Sequence, residues 1–590
     1  MSANGHVDVY REVMIPMRDG VRLAADVYRP TGAGPLPAVL VRTAYGKSQT
    51  ELGFDYARIA AAGFAVMVQD KRGRYGSEGE YRVLRDDGTG VHRDGYDTVE
   101  WVAGQPWCTG EVGAFGVSYL GQTVLGAAVA APPHLRAGSP AQPSSDEFTD
   151  RSFLDGVLIS GMGTWAVIPP VADDLIAKLP QDRREEARAE LLKYLGGLPA
   201  VAASVPLLDQ PFLRLFRQIW ADPLLHREEP GFFAESRFCR EEAEQVTVPL
   251  LHVGGWFDFF ARNTVRQYGL LTAHAATDEA RDGQRLVLGP WTHGGFGTDT
   301  VHGVDLPDAA IDYDGLVIEW LGRWLRRDAP RSPDHRVILY VLGANRWRAE
   351  AAWPPPGATM TSFGLSADGQ VVPGDAAEGA RTFRYDPADP YLAGRLPEVG
   401  MADLSAFHGT NTLLFDTGPV GEETEVTGVP ELVLHMSTTA TDADWVVELH
   451  VVAADGTPRL VNEGAARARY RRSRTQPEAV QPGTVEEYDV RLRPMSVVIP
   501  EGGRLRVVVT AGKYPAFERN PQYFTDLNTV AEGDYRPADH TLRSGPGRSR
   551  IILPLVDPSR RGEWIDNPWP CPQRRQVQPA AEHPASELAR

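Results

Sequence analysis

The amino-acid sequence predicts an α/β architecture: a largely parallel β-sheet flanked by helices, broken by a helical insertion and followed by a β-rich domain. Three observations predict it. Short continuous apolar runs at residues 38–41, 64–68, 112–115, 250–253 and 286–288 alternate with helix-period stretches at 56–61 and 96–102. Such runs suit strands covered on both faces, and strands alternating with helices imply parallel pairing. The alternation then stops between about 147 and 245, where a charged amphipathic stretch at 182–195 and frequent Pro and Leu replace the strand-like runs. Beyond about residue 350, short β-rich runs dominate, at 432–436, 445–452, 496–499, 505–510 and 551–553, separated by Gly, Pro and Asp turns. Many short strands with that spacing predict a jelly roll or related β-sandwich.

Taken in chain order, the first element is a hairpin. The run 13–17 meets Arg18-Asp19-Gly20, after which 21–28 alternates. Asp-Gly between two such runs is a strong hairpin signal. The parallel unit follows, resumes after the insertion at about 246, and ends in a helix at 313–326 whose Val317, Leu321, Trp324 and Leu325 form one apolar stripe. These boundaries give an α/β domain (1–146 and 246–350), a helical cap (147–245), a jelly roll (351–572) and a tail (573–590). The tail is rich in Pro, Ala and Glu and is expected to be disordered.

The 590 residues exceed what one hydrophobic core usually serves. A formal net charge of −18 argues against nucleic acid or anionic lipid as a partner, since both require basic surface. Cys108, Cys239 and Cys571 lie too far apart for a metal-ligand motif or a disulfide framework, so no metal is expected. The N-terminal residues lack a signal-peptide pattern, and no apolar run approaches the roughly 20 residues of a membrane helix. The expectation is a cytoplasmic protein without a membrane partner.

The chemistry centres on Gly113-Ala114-Phe115-Gly116-Val117-Ser118-Tyr119-Leu120-Gly121. A strand enters a serine flanked by small residues, and a helix-compatible run leaves it, which is the context of a nucleophile elbow. The usual Gly-x-Ser-x-Gly is not met: the second glycine comes one place late, at Gly121. Asp258, in Val253-Gly254-Gly255-Trp256-Phe257-Asp258, follows a buried strand and is the acid candidate. His293, in Leu288-Gly289-Pro290-Trp291-Thr292-His293, follows the next strand and is the base candidate. Serine, acid and histidine in that order, each just past a strand end, is the α/β-hydrolase arrangement. An imidazole titrates near neutral pH and so can take the Ser118 proton and return it. His252 and His302 are rivals, the first placed inside a strand and the second in a loop without a motif. An oxyanion hole needs two donors: the Tyr119 amide, directly after the nucleophile, and a group from Thr43-Ala44-Tyr45-Gly46-Lys47, where Tyr45 offers a phenolic O–H.

Together these residues resemble the bacterial cocaine esterase and X-Pro dipeptidyl-peptidase group of serine hydrolases. The matching stretches are Val41-Arg42-Thr43-Ala44-Tyr45, Gln69-Asp70-Lys71-Arg72-Gly73, Ser77-Glu78-Gly79-Glu80-Tyr81, Phe115 to Gly121, Gly255-Trp256-Phe257-Asp258, Gly289-Pro290-Trp291-Thr292-His293 and Tyr385-Asp386-Pro387-Ala388-Asp389-Pro390. The similarity runs from about residue 8 to 556. It implies an α/β-hydrolase domain with helical cap and C-terminal jelly roll, an oxyanion hole of Tyr45 and the Tyr119 amide, and no metal or organic cofactor. It also implies an acyl pocket lined by aromatic residues from the cap and from the segment around the acid, for which Trp165, Phe260 and Trp256 are the candidates.

The resulting expectation is hydrolysis of a small-molecule carboxylic ester or amide through an acyl-serine, with a homodimer left open. Three alternatives use or discard the same residues. An α-amino-acid ester hydrolase or peptidase would read a substrate ammonium with carboxylates, for which Asp146, Glu147, Asp150, Asp155, Asp173 and Asp174 are available. An acyltransferase would pass the acyl group to an alcohol or amine. A ligand-binding protein would carry the triad as a vestige.

Overall fold

The computed structural model describes residues 6–48, 53–196, 205–210, 212–326, 335–389, 411–571 and 579–588. Pro390, at the end of one of the motifs above, lies outside them, as do 573–578 of the tail.

A twelve-stranded sheet organises the first half of the chain. Its central strands run parallel in the spatial order Val337–Val341, Arg285–Thr292, Leu251–Phe257, Leu135–Ala141, Cys108–Val117, Leu36–Thr43 and Ala65–Asp70. Ala65–Asp70, Leu251–Phe257 and Arg285–Thr292 are buried along their whole length, as the apolar runs within them require when helices cover both faces. The predicted hairpin is Val7–Pro16 with Arg22–Pro30, antiparallel and bulged between Tyr10 and Val13. Helix Tyr56–Ala61 is opened by Asp55, whose carboxylate accepts the Arg58 amide at 2.9 Å. Helix Tyr119–Ala130 is almost wholly buried, and helix Tyr313–Leu325 buries Val317, Trp320, Leu321 and Leu325.

Between residues 147 and 245 the chain forms a π-helical turn (Glu147–Arg151), helices Pro169–Lys178 and Gln181–Gly196 and several shorter turns around their own apolar cluster, which includes Phe148, Phe212, Phe216 and Trp220. It is not purely helical: Phe153–Leu154 and Val157–Leu158 pair as a small hairpin. Beyond residue 350, two antiparallel sheets pack face to face in the expected sandwich, with Trp445 and Tyr488 in the shared core.

The expectation of a disordered tail is corrected by residues 579–588. Pro579–Pro584 pairs in parallel with Val7–Arg11 at one edge of the large sheet, Arg11 meets Glu582 at 2.6 Å, and Leu588 is buried in the core. Glu563–Ile565 covers the opposite edge by pairing with Arg346–Glu350. Edge strands offer unpaired backbone groups that a polar segment can satisfy as well as an apolar one, so composition misread residues 579–588 of the tail.

Candidate active site

Every predicted catalytic group leaves the C-terminal end of a parallel strand. Cys108–Val117 delivers Ser118, which sits at φ 59° and ψ −121° before helix Tyr119–Ala130. Positive φ at a residue with a side chain costs on the order of 1–3 kcal/mol, and here it turns the hydroxyl out above the sheet. The two glycines permit the turn. A Cβ on Gly116 would stand 2.4 Å from that of Leu120, and one on Gly121 would stand 2.7 Å from the Ala141 carbonyl oxygen. The late position of the second glycine therefore follows from where the helix presses on strand Leu135–Ala141.

Strand Leu251–Phe257 delivers Asp258 and strand Arg285–Thr292 delivers His293. His293 Nε2 lies 2.8 Å from Ser118 Oγ, and Nδ1 lies 2.9 Å from Asp258 Oδ1. Asp258 is fully buried and His293 is exposed by 15% of its side chain, so the relay runs from interior to cleft. With the acid ionised, Nδ1–H donates to Oδ1 and Nε2 is left to accept the serine proton. Asp258 Oδ1 also accepts the Phe260 amide at 3.1 Å. Phe259 stacks on the imidazole at 4.4 Å between ring centres, and Phe260 meets it edge-on at 5.2 Å. The ring is thus held at both nitrogens and braced on one side by two phenyl rings that also touch each other at 4.3 Å.

The oxyanion candidates stand beside this relay. Tyr45 follows strand Leu36–Thr43, and its hydroxyl is a hydrogen-bond neighbour of Ser118. Trp165 Nε1 donates to that hydroxyl at 3.0 Å. Burial raises the Tyr45 phenol above its usual range, so it keeps its proton at neutral pH, and with Trp165 on its lone pair the proton is free to donate. The Tyr119 amide is the first of the helix, among the backbone donors a helix start leaves unpaired by its own turns. The Tyr119 side chain accepts the Leu84 amide at 2.7 Å and the Tyr81 hydroxyl at 3.2 Å. Trp165 stacks near both tyrosines, 6.0 Å from Tyr119 and 6.4 Å from Tyr81. Replacing Tyr45 with Phe keeps the ring and removes the donor; kcat should fall roughly 10²–10³-fold with little change in KM, as steady-state kinetics would measure.

Of the three pocket candidates, Trp165 stands against Tyr45 and Tyr119 beside the serine and Phe260 braces the base. Trp256 does neither. It is fully buried, its Nε1 donates to the Tyr340 carbonyl at 2.7 Å, and its ring packs on Trp353. The strand extends to Phe257 rather than ending near 253, so Trp256 still lies within the sheet and faces its core. The rivals to His293 are also placed. His252 is buried in the strand with Nε2 2.9 Å from Gln284, and burial pushes its imidazole down to about 4. His302 packs edge-on against Phe257.

Among the acidic residues near the insertion, Asp146, Asp150 and Asp155 gather around Arg262, and most of the set is committed to arginines. Asp146 pairs with Arg266, Glu147 with Arg151, Asp150 and Asp155 with Arg262, and Asp174 with Arg74, while Asp173 is exposed. Cys239, Glu241 and Glu242 bring ligand atoms within 4.8 Å of one another at the start of helix Arg240–Ala243. Burial and the neighbouring carboxylates push the Cys239 thiol up to about 12, so it is protonated at neutral pH.

Parallel sheet, strained serine turn and the strand-end order of the three residues define a serine hydrolase of the α/β type. The family described as X-Pro dipeptidyl-peptidase (S15 family) matches residues 19–295, and the X-Pro dipeptidyl-peptidase C-terminal non-catalytic domain matches 332–552. Cocaine esterase from Rhodococcus sp. (strain MB1 Bresler) is 30% identical over 583 residues, covering 94% of this chain and 99% of that one. The chain belongs to this cocaine esterase and X-Pro dipeptidyl-peptidase family of serine hydrolases. Among solved structures, an aminopeptidase from a marine sediment archaeon, Thaumarchaeota archaeon, superposes with a TM-score of 0.78 at 25% identity, covering 94% of this chain and 97% of that one. An α-amino acid ester hydrolase shares the fold with a TM-score of 0.76 at 23% identity, over 94% of this chain and 98% of that one. Among the described residues no helix is long and apolar enough to cross a membrane.

Sequence reasoning missed Phe259, Tyr81 and Arg493 as neighbours of the site. Phe259 directly follows the acid and Tyr81 ends one of the family stretches, so both carried a local signal. Arg493, whose Nη1 donates to the Asp258 carbonyl at 3.1 Å, is 235 residues away and carried none.

Proposed function

We propose that this chain hydrolyses carboxylic esters of small molecules through an acyl intermediate on Ser118. Ser118 Oγ attacks the ester carbonyl as His293 Nε2 takes its proton, and the oxyanion is held by the Tyr45 hydroxyl and the Tyr119 amide. The proton passes to the leaving alkoxide, the alcohol departs, and a water activated by His293 repeats the sequence to release the acid. Asp258 holds the tautomer and stabilises the imidazolium. The observation that carries this reading is the unbroken contact series at 2.8 and 2.9 Å from Ser118 through His293 to Asp258. An ester is favoured over an amide by the 30% identity to cocaine esterase, and the Trp165, Tyr45 and Tyr119 rings favour an apolar acyl group. A cytoplasmic setting is part of the proposal, supported by Cys108 and Cys239, which form no disulfide.

The test is a fluorophosphonate probe followed by peptide mass mapping, with a panel of aryl, short-chain and α-amino esters and their matched amides. Labelling at Ser118 and turnover of esters well above the amides support the proposal. A folded protein that takes no label and turns over no ester would favour the ligand-binding alternative.

A further inference from the structure

We propose that Arg493, in the domain matched as non-catalytic, is a positioning residue that aims the catalytic acid by gripping the backbone of its loop. The inference rests on the assignment of Asp258 as the acid. Asp258 has few restraints of its own. Its Oδ1 serves both His293 Nδ1 and the Phe260 amide, and among the described residues Oδ2 has no hydrogen-bond donor. The direction of the carboxylate is therefore set by the loop backbone that carries it. Among the described residues that backbone is fastened at one point from outside the α/β domain: Arg493 Nη1 donates to the Asp258 carbonyl at 3.1 Å, alongside the Ala261 amide at 3.1 Å.

Arg493 is itself held from several sides. Its amide donates to Asn462 Oδ1 at 2.9 Å, and Asn462 Nδ2 donates back to the Arg493 carbonyl at 2.7 Å. Its Nη2 meets Glu463 at 2.8 Å, Lys513 bridges Glu463 and Glu448 at 2.6 Å each, and Glu448 ends on His450 at 2.8 Å. All six side chains are buried. Against burial, which acts to raise it, Lys513 and His450 hold the Glu448 carboxyl down at about 2, so this carboxylate is ionised at neutral pH. Lys513 already gives Glu463 a cationic partner, so neutralising that glutamate does not by itself account for Arg493. What Arg493 adds is the link to Asp258. Buried, paired charges of this kind have little freedom to rearrange, which makes the β-sandwich a rigid support for one loop of the site.

The experiment compares wild type, the charge-balanced double variant Arg493→Met/Glu463→Gln and the conservative Arg493→Lys by thermal midpoint, kcat, KM and the acidic limb of the kcat/KM profile. The double variant should stay folded and lose roughly 10- to 100-fold in kcat, with KM held within about twofold. The acidic limb should move to lower pH, because an imidazolium deprived of its carboxylate gives up its proton more readily. Lysine, which keeps the charge but cannot span both partners, should lie between the two. A lowered thermal midpoint with unchanged kcat and pH profile overturns the proposal and leaves Arg493 a structural residue. If the double variant does not fold, Arg493→Lys decides: kcat several-fold below wild type supports the proposal, and wild-type kcat overturns it. Asp258→Asn is the companion control. If that variant is fully active, the acid assignment itself fails; if it is slow while the Arg493 variants are normal, only the positioning role fails.

Discussion

Replacing Ser118 with alanine is expected to lower kcat for ester hydrolysis by roughly 10⁴–10⁶-fold. The hydroxyl is the only part of the relay that forms a bond to substrate, and without it the remaining groups can only bind the ester and polarise it. The residue of rate should come from Tyr45 and the Tyr119 amide acting on attack by water, as such holes do when a nucleophile is lost. The fold should persist, because the turn is tied by its backbone: the Ser118 amide donates to Ala141 at 2.9 Å and its carbonyl accepts from Gln122 at 3.0 Å. Alanine tolerates φ 59° no better than serine, so strain is neither added nor relieved. Unchanged circular dichroism and thermal midpoint, with kcat reduced as stated and fluorophosphonate labelling abolished, is the full expected result. An esterase rate equal to that of wild type would remove Ser118 from the chemistry.

How much of this was legible in the sequence depended on whether the physical signal is local. Strands buried on both faces announce themselves as apolar runs, and the five runs named from the sequence all fall within or overlap strands of the large sheet. Strand Leu135–Ala141 had no such run: Leu-Arg-Ala-Gly-Ser-Pro-Ala contains a proline, and Gly138 is required there because a Cβ would come within 2.7 Å of Val124. Its identity as a strand is conferred by neighbours on both sides, which a pattern search does not see. The relay was readable because catalytic groups in this architecture sit at strand ends, so strand position fixes their place in space. Trp256 was misassigned for the complementary reason: its strand runs further than its apolar pattern, and a residue thought to open a loop remains in the sheet. The bond from Trp165 to Tyr45 and that from Arg493 to Asp258 span 120 and 235 residues, and nothing short of the folded chain brings such partners together.

Asp258→Asn should lower kcat by roughly 10³–10⁴-fold, and how it does so can be worked out from the contacts of one oxygen. Oδ1 accepts two N–H groups, from His293 and from the Phe260 amide. The Phe260 donor is part of the backbone and cannot turn away, so the asparagine should place its carbonyl oxygen there and its NH2 where Oδ2 now lies. In that orientation the amide oxygen still accepts Nδ1–H, and His293 keeps the tautomer that presents Nε2 to Ser118. What is lost is the negative charge opposite the imidazolium formed on attack, in a fully buried setting where solvent cannot replace it. The opposite orientation would aim NH2 at Nδ1, force the proton onto Nε2 and disable the base. The first gives a loss near the lower end of the range and the second near the upper end, and both leave KM close to wild type. Fluorophosphonate labelling should slow in parallel, since it too requires His293 to accept the serine proton. Because serine, base and acid act as one unit, the double variant Ser118→Ala/Asp258→Asn should be no slower than Ser118→Ala alone. A loss of less than tenfold in Asp258→Asn, or strictly additive losses in the double variant, would show that His293 does not depend on Asp258.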